Sequence, residues 1–111
     1  MSIFVVSPET IARILHVGQR EESTSDPYIK HVERVVAMVS DDAQPVAWLH
    51  DVLEDTSATS SGLKELGVDE SVITAVEVLT RSRGEPYFDY IGRIVASGDR
   101  LALEVKAADL I

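Results

Sequence analysis

Twice near its start the chain places a helix-capping side chain directly before proline. Ser7-Pro8-Glu9 offers a capping hydroxyl, a proline and an acid in the first turn, and Asp26-Pro27 repeats the cap-plus-proline signal. Proline at the first helical position forfeits only an amide that has no helical partner, so the pairing marks a helix start. Apolar residues at helical spacing follow each signal. Ile11, Ile14 and Leu15 run towards Gly18, and Ile29, Val32, Val36 and Val39 run to about Ser40. Asp41-Asp42 with Pro45 starts a third helix. No segment sustains the strict alternation of a half-buried strand, so the expected fold is all-α, with six or seven short helices.

The rest of the chain keeps this pattern. Thr56 to Gly62 reads as a loop of small residues, and Leu63 to Leu66 as a short helix ending at Gly67. Asp69 caps a helix that buries Val72, Val76 and Leu79. After Gly84-Glu85-Pro86 a helix runs roughly from Tyr87 to Ala96, and Gly98-Asp99 opens the last one, with Leu101, Val105 and Ala108 at helical spacing. A chain of 111 residues holds one domain with a modest core.

Charge narrows the partners. Nineteen acidic against ten basic residues give a net charge of −9, and no Lys/Arg cluster supplies the basic footprint that nucleic-acid binding requires. Small phosphorylated ligands remain compatible, because a cation and a few placed side chains can reverse the local field. The opening Met1-Ser2-Ile3-Phe4-Val5-Val6 is short and lacks a basic leader, so it does not read as a signal peptide, and no apolar run has membrane-spanning length. The expected location is cytoplasmic. With no cysteine, a metal site would have to be built from imidazole and carboxylate.

Trp48-Leu49-His50-Asp51-Val52-Leu53-Glu54-Asp55-Thr56 is the segment richest in chemistry. A helix through it would put His50 and Glu54 on one face and Asp51 and Asp55 on the next. Four ionisable groups in an apolar frame are costly unless compensated, and a divalent cation compensates them. A lone histidine in such a run is more often a satisfied core residue than a ligand. Lys106 and Asp109, three apart on the last helix, add a cation and a further carboxylate; read alone, they form a surface ion pair. Tyr28 and Tyr87 read as core or pocket-wall residues, core being the simpler reading.

Spaced as His31, His50-Asp51 and Asp109, the chain resembles the HD superfamily of metal-dependent phosphohydrolases. An ordered series extends the likeness: His16-Val17-Gly18-Gln19, Pro27-Tyr28-Ile29-x-His31, Leu49-His50-Asp51-Val52-x-Glu54-Asp55-Thr56, Leu79-Thr80-Arg81 and Val105-Lys106-x-x-Asp109. From about Ala12 onward it looks like the hydrolase domain of the RelA/SpoT family, especially its small stand-alone relatives.

The resemblance implies an HD helical bundle in which His31, His50, Asp51 and Asp109 hold one divalent cation, with Mn²⁺ preferred. Ligand type alone also admits Fe²⁺, Co²⁺, Zn²⁺ or Mg²⁺. Glu54 and Asp55 match the acidic pair that orients or deprotonates the attacking water, and Arg20 and Lys106 match candidate phosphate contacts. The implied reaction removes the 3′-pyrophosphate of guanosine 3′,5′-bis(diphosphate). The alternatives are an HD enzyme for another phosphoester and a non-catalytic nucleotide-binding or regulatory module.

Two departures accompany the resemblance. Arg20-Glu21-Glu22-Ser23 stands where the family places basic residues. The family pattern also continues past the distal Asp, whereas Ile111 follows Asp109 by two positions. The domain is therefore expected to be incomplete at its C-terminal end, the alternative being a homo-oligomer whose second subunit completes the site.

Overall fold

Helix α1 (Pro8–Leu15) begins where the Ser7 hydroxyl accepts the Thr10 amide at 3.1 Å. In this computed structural model residues 5–111 are described, and the apolar opening Met1 to Phe4 lies outside them. Helix α2 (Ile29–Ala37) starts past Pro27, later than the Asp26-Pro27 signal suggests. Arg20 and Pro27 form an isolated antiparallel bridge, the Glu21 amide donates to the Asp26 carbonyl, and the Tyr28 amide donates to the Gln19 carbonyl at 2.8 Å. The Asp26 carbonyl, which a helix from Asp26 would offer to Lys30, is thus taken by Glu21, and residues 19–28 close into a lobe with a narrow neck. Ser25 turns the lobe from the left-handed region, at φ 62°.

The third helix is interrupted. A 3₁₀ turn, Asp41–Ala43, leads into α3 (Gln44–Leu49), and α4 (Val52–Asp55) follows after a break at His50-Asp51. In an unbroken helix the Ala47 carbonyl would accept the Asp51 amide. Here His50 Nδ1 takes that carbonyl at 2.7 Å, and Asp51 sits at φ −108°, ψ 0°. The expected single helix is therefore two, with the histidine's own side chain holding them apart.

Four helices complete the bundle: α5 (Ser60–Glu65), α6 (Glu70–Leu79), α7 (Tyr87–Ser97) and α8 (Arg100–Asp109). Thr59 caps α5 by accepting the Gly62 amide at 3.0 Å, which starts that helix three residues earlier than its apolar spacing indicates. Gly98, at φ 66°, ends α7 in the left-handed conformation, and Asp99 caps α8 through the Ala102 amide at 3.1 Å. Among the described residues seven helices have six residues or more and α4 is a single turn, so the expectation of six or seven short helices in an all-α fold holds.

Helix α3 is central and packs against α1, α2, α6 and α8. Val46, Ala47 and Leu49 are fully buried in it, with Val32, Val35, Val76, Ile94 and Val105 from the surrounding helices. Burying each Val, Leu or Ile contributes roughly 1.5–3 kcal/mol. Alanines at 43, 47, 75 and 102, none with any exposed surface, let the backbones approach closely. Among the described residues no helix is long and apolar enough to cross a membrane.

Candidate metal centre

Three separate segments deliver the site. His31 comes from the first turns of α2, His50 and Asp51 from the break between α3 and α4, and Asp109 from the last turn of α8. His31, His50 and Asp51 present ligand atoms all within 4.8 Å of one another. Asp109 joins them through Oδ1, 2.8 Å from His31 Nε2 and 3.5 Å from His50 Nε2. The two imidazole centroids are 5.9 Å apart.

His50 is 4% exposed. With Nδ1 on the Ala47 carbonyl, its Nε2 is aimed at the carboxylates, 3.0 Å from Asp51 Oδ2 and 3.5 Å from Asp109 Oδ1. These contacts are close enough for charge pairing, yet neither lies on a hydrogen-bond line, so Nε2 is a buried nitrogen without a hydrogen-bond partner. Such an atom is expensive. A cation between the two imidazoles and two carboxylates would satisfy it, and the donor set suits a divalent ion of borderline hardness. The Nδ1–carbonyl contact is the outer support that fixes a metal-binding imidazole's orientation. The residues fit the group.

The electrostatics match. Burial disfavours the His50 imidazolium, but Asp109 and Asp51 outweigh it and raise the pKa to about 10. Burial likewise opposes the charge on Asp109, while His31, His50 and Lys106 hold this carboxyl well below its ordinary range. Asp51 is lowered too, since His50 and the Tyr28 hydroxyl overcome its burial. Without a cation, a proton on His50 neutralises part of this cluster.

The acidic pair lies beside the ligands on α4. Asp55 is pushed up by burial and then by the charges of Asp51 and Glu54, the direction that makes it a better proton acceptor. Glu54 Oε1 accepts the Arg81 amide at 2.9 Å, which ties α4 to the turn after α6. Lys106 Nζ is 3.3 Å from Asp109 Oδ2 and 5.1 Å from the Tyr90 ring centroid, so it faces the site. Arg20 is turned inward on its own lobe, donating to the Ser25 carbonyl at 2.9 Å. Glu21 pairs with Arg34 at 2.6 Å, so this acid is spent within the fold.

Sequence reasoning read Tyr28 as a core or pocket-wall residue and left Gln19 and His16 without roles. The Tyr28 hydroxyl donates to Asp51 Oδ2. Burial and the Asp51 charge push its ionisation above the ordinary tyrosine range, so it stays a donor. His16 is buried, with Nδ1 2.7 Å from Gln19 Oε1, and Gln19 Nε2 donates to the Asp55 carbonyl at 3.0 Å. The signal was the ordered His16-x-x-Gln19 and Tyr28-x-x-His31 spacing, which carries no chemistry until the contacts are seen.

No family model matches the chain, and comparison with curated proteins gives no match.

Proposed function

We propose that the chain is a metal-dependent phosphohydrolase acting on a nucleotide. The observation that supports this reading is the buried His50 Nε2, without a hydrogen-bond partner, set beside His31 and the carboxylates of Asp51 and Asp109 and bordered by a second pair of acids. A divalent ion bound there would supply Lewis acidity for a phosphoryl oxygen and would lower the pKa of a bound water.

The protein's own groups supply the rest. His31, His50, Asp51 and Asp109 would hold the ion. Asp55, with its raised pKa, takes a proton from the attacking water, and Glu54, anchored on the Arg81 amide, orients it. Lys106 stays charged because the neighbouring Tyr90 and Asp109 overcome its burial, and it offers a cation to a substrate phosphate. The specific substrate we infer, from the ordered motifs, is a guanosine 3′,5′-bis(diphosphate)-type alarmone that loses its 3′-pyrophosphate. Purified protein with Mn²⁺ should release pyrophosphate from that compound and leave ordinary nucleoside triphosphates intact. Phosphate release from another ester would keep the metal chemistry and change the substrate.

A non-catalytic nucleotide-binding or regulatory module is the second reading. It is favoured by Arg20, whose guanidinium is engaged inside its own lobe. Nucleotide binding with neither bound metal nor turnover would decide for it.

A further inference from the structure

The lobe between α1 and α2 reaches the site through its neck. Gln19 and Tyr28 face each other there, joined by the Tyr28 amide on the Gln19 carbonyl at 2.8 Å. Their side chains reach the two ends of one acidic turn. Gln19 Nε2 donates to the Asp55 carbonyl at 3.0 Å, and the Tyr28 hydroxyl donates to Asp51 Oδ2, the oxygen that also faces His50 Nε2. Each is oriented from behind. His16 Nδ1 meets Gln19 Oε1 at 2.7 Å, which leaves the amide nitrogen for Asp55. The Tyr28 ring lies between the rings of His16 and His31, at 4.9 and 5.5 Å.

We propose that this neck is a clamp: Tyr28 and Gln19 are positioning residues that hold the Asp51–Asp55 turn in the geometry that receives the cation. The inference rests on the metal-centre reading. Asp51 sits where the helix is broken; its carbonyl accepts the Asp55 amide at 2.9 Å, but its side chain forms no cap for α4. Tyr28 restricts the carboxylate, and Gln19 restricts the turn that carries it. Outer contacts of this kind set ligand orientation and metal affinity.

The test is titration of the full chain with Mn²⁺, following the paramagnetic resonance of the free ion. Wild type should take up one ion. Tyr28→Phe keeps the ring and removes the hydroxyl, and should bind roughly 10–100-fold more weakly. Gln19→Ala should weaken binding in the same direction. Leu63→Ala, a buried change on α5, should lower thermal stability and leave affinity unchanged, which separates positioning from general loosening. Wild-type affinity in Tyr28→Phe overturns the clamp and spares the metal centre. Should Tyr28→Phe fail to fold, wild-type affinity in Gln19→Ala overturns it instead. A wild-type chain that takes up no Mn²⁺ overturns the metal centre and the clamp with it.

Discussion

His31 and Asp109 stand 78 positions apart in the chain and meet with Nε2 2.8 Å from Oδ1. Neither residue is informative alone. A histidine on α2 and an aspartate ending α8 are ordinary helix-surface residues until packing against α3 brings His31 to His50 and Asp51, and Asp109 to the two imidazoles.

The ligands and the acidic pair should separate by substitution. We expect Asp51→Ala to abolish binding of Mn²⁺. Glu54→Ala should keep the ion and lose turnover by about 10²–10⁴-fold, the usual worth of a positioned acid or base. Metal content of the two purified variants checks this, and an Asp51→Ala protein that retains metal would sink the ligand assignment.

Ion uptake should expel a proton. With the His50 pKa at about 10 in the metal-free protein, the imidazole is protonated at pH 8 and must lose that proton to bind. Affinity should therefore climb about tenfold per pH unit from pH 7 to 9. Calorimetry in buffers of different ionisation enthalpy measures the proton directly. Uptake with no proton released would contradict the charge state assigned to His50.

Without metal, stability should depend on pH in a defined direction. The His50 pKa rises from an ordinary 6.5 to about 10, so its contribution is complete below pH 6.5 and is lost as pH rises towards 10. Asp51 and Asp109 are held below their ordinary 3.8, so their contribution is present above that pH and is lost as pH falls. Chelator-treated protein should thus unfold at its highest temperature between these limits. A stability profile rising steadily from pH 6.5 to 9 would refute the pairing of His50 with the two carboxylates.

Asp99 acts at the far end of the helix that carries Asp109. Replacing it with alanine removes the cap on the Ala102 amide and should cost about 1 kcal/mol in urea unfolding. An unchanged midpoint would show that packing alone holds α8.

Much of the fold was legible because caps act locally. Ser7 and Asp99 were readable as helix starts, and both side chains accept the amides their positions imply. What escaped depends on partners distant in sequence or on side-chain detail. The start of α2 is delayed by pairing across the neck of residues 19–28, and the break at His50 follows from its own Nδ1 taking a backbone carbonyl. Periodicity contains neither fact. At the site, packing brings together His31, His50, Asp51 and Asp109, whereas Arg20 is held by its own lobe. Tyr28 resembled a core aromatic because the distinguishing atom, its hydroxyl, meets Asp51 only in the folded chain.

The placement of His31, His50, Asp51 and Asp109 on three separate segments has a topological consequence. An ion gripping both His31 and Asp109 would cross-link the chain across the 78 positions between them. Closing a loop of that size removes unfolded-state entropy worth on the order of 4–5 kcal/mol in the chain-entropy model, much as a disulfide would. In a protein without a single cysteine, the ion would be the staple.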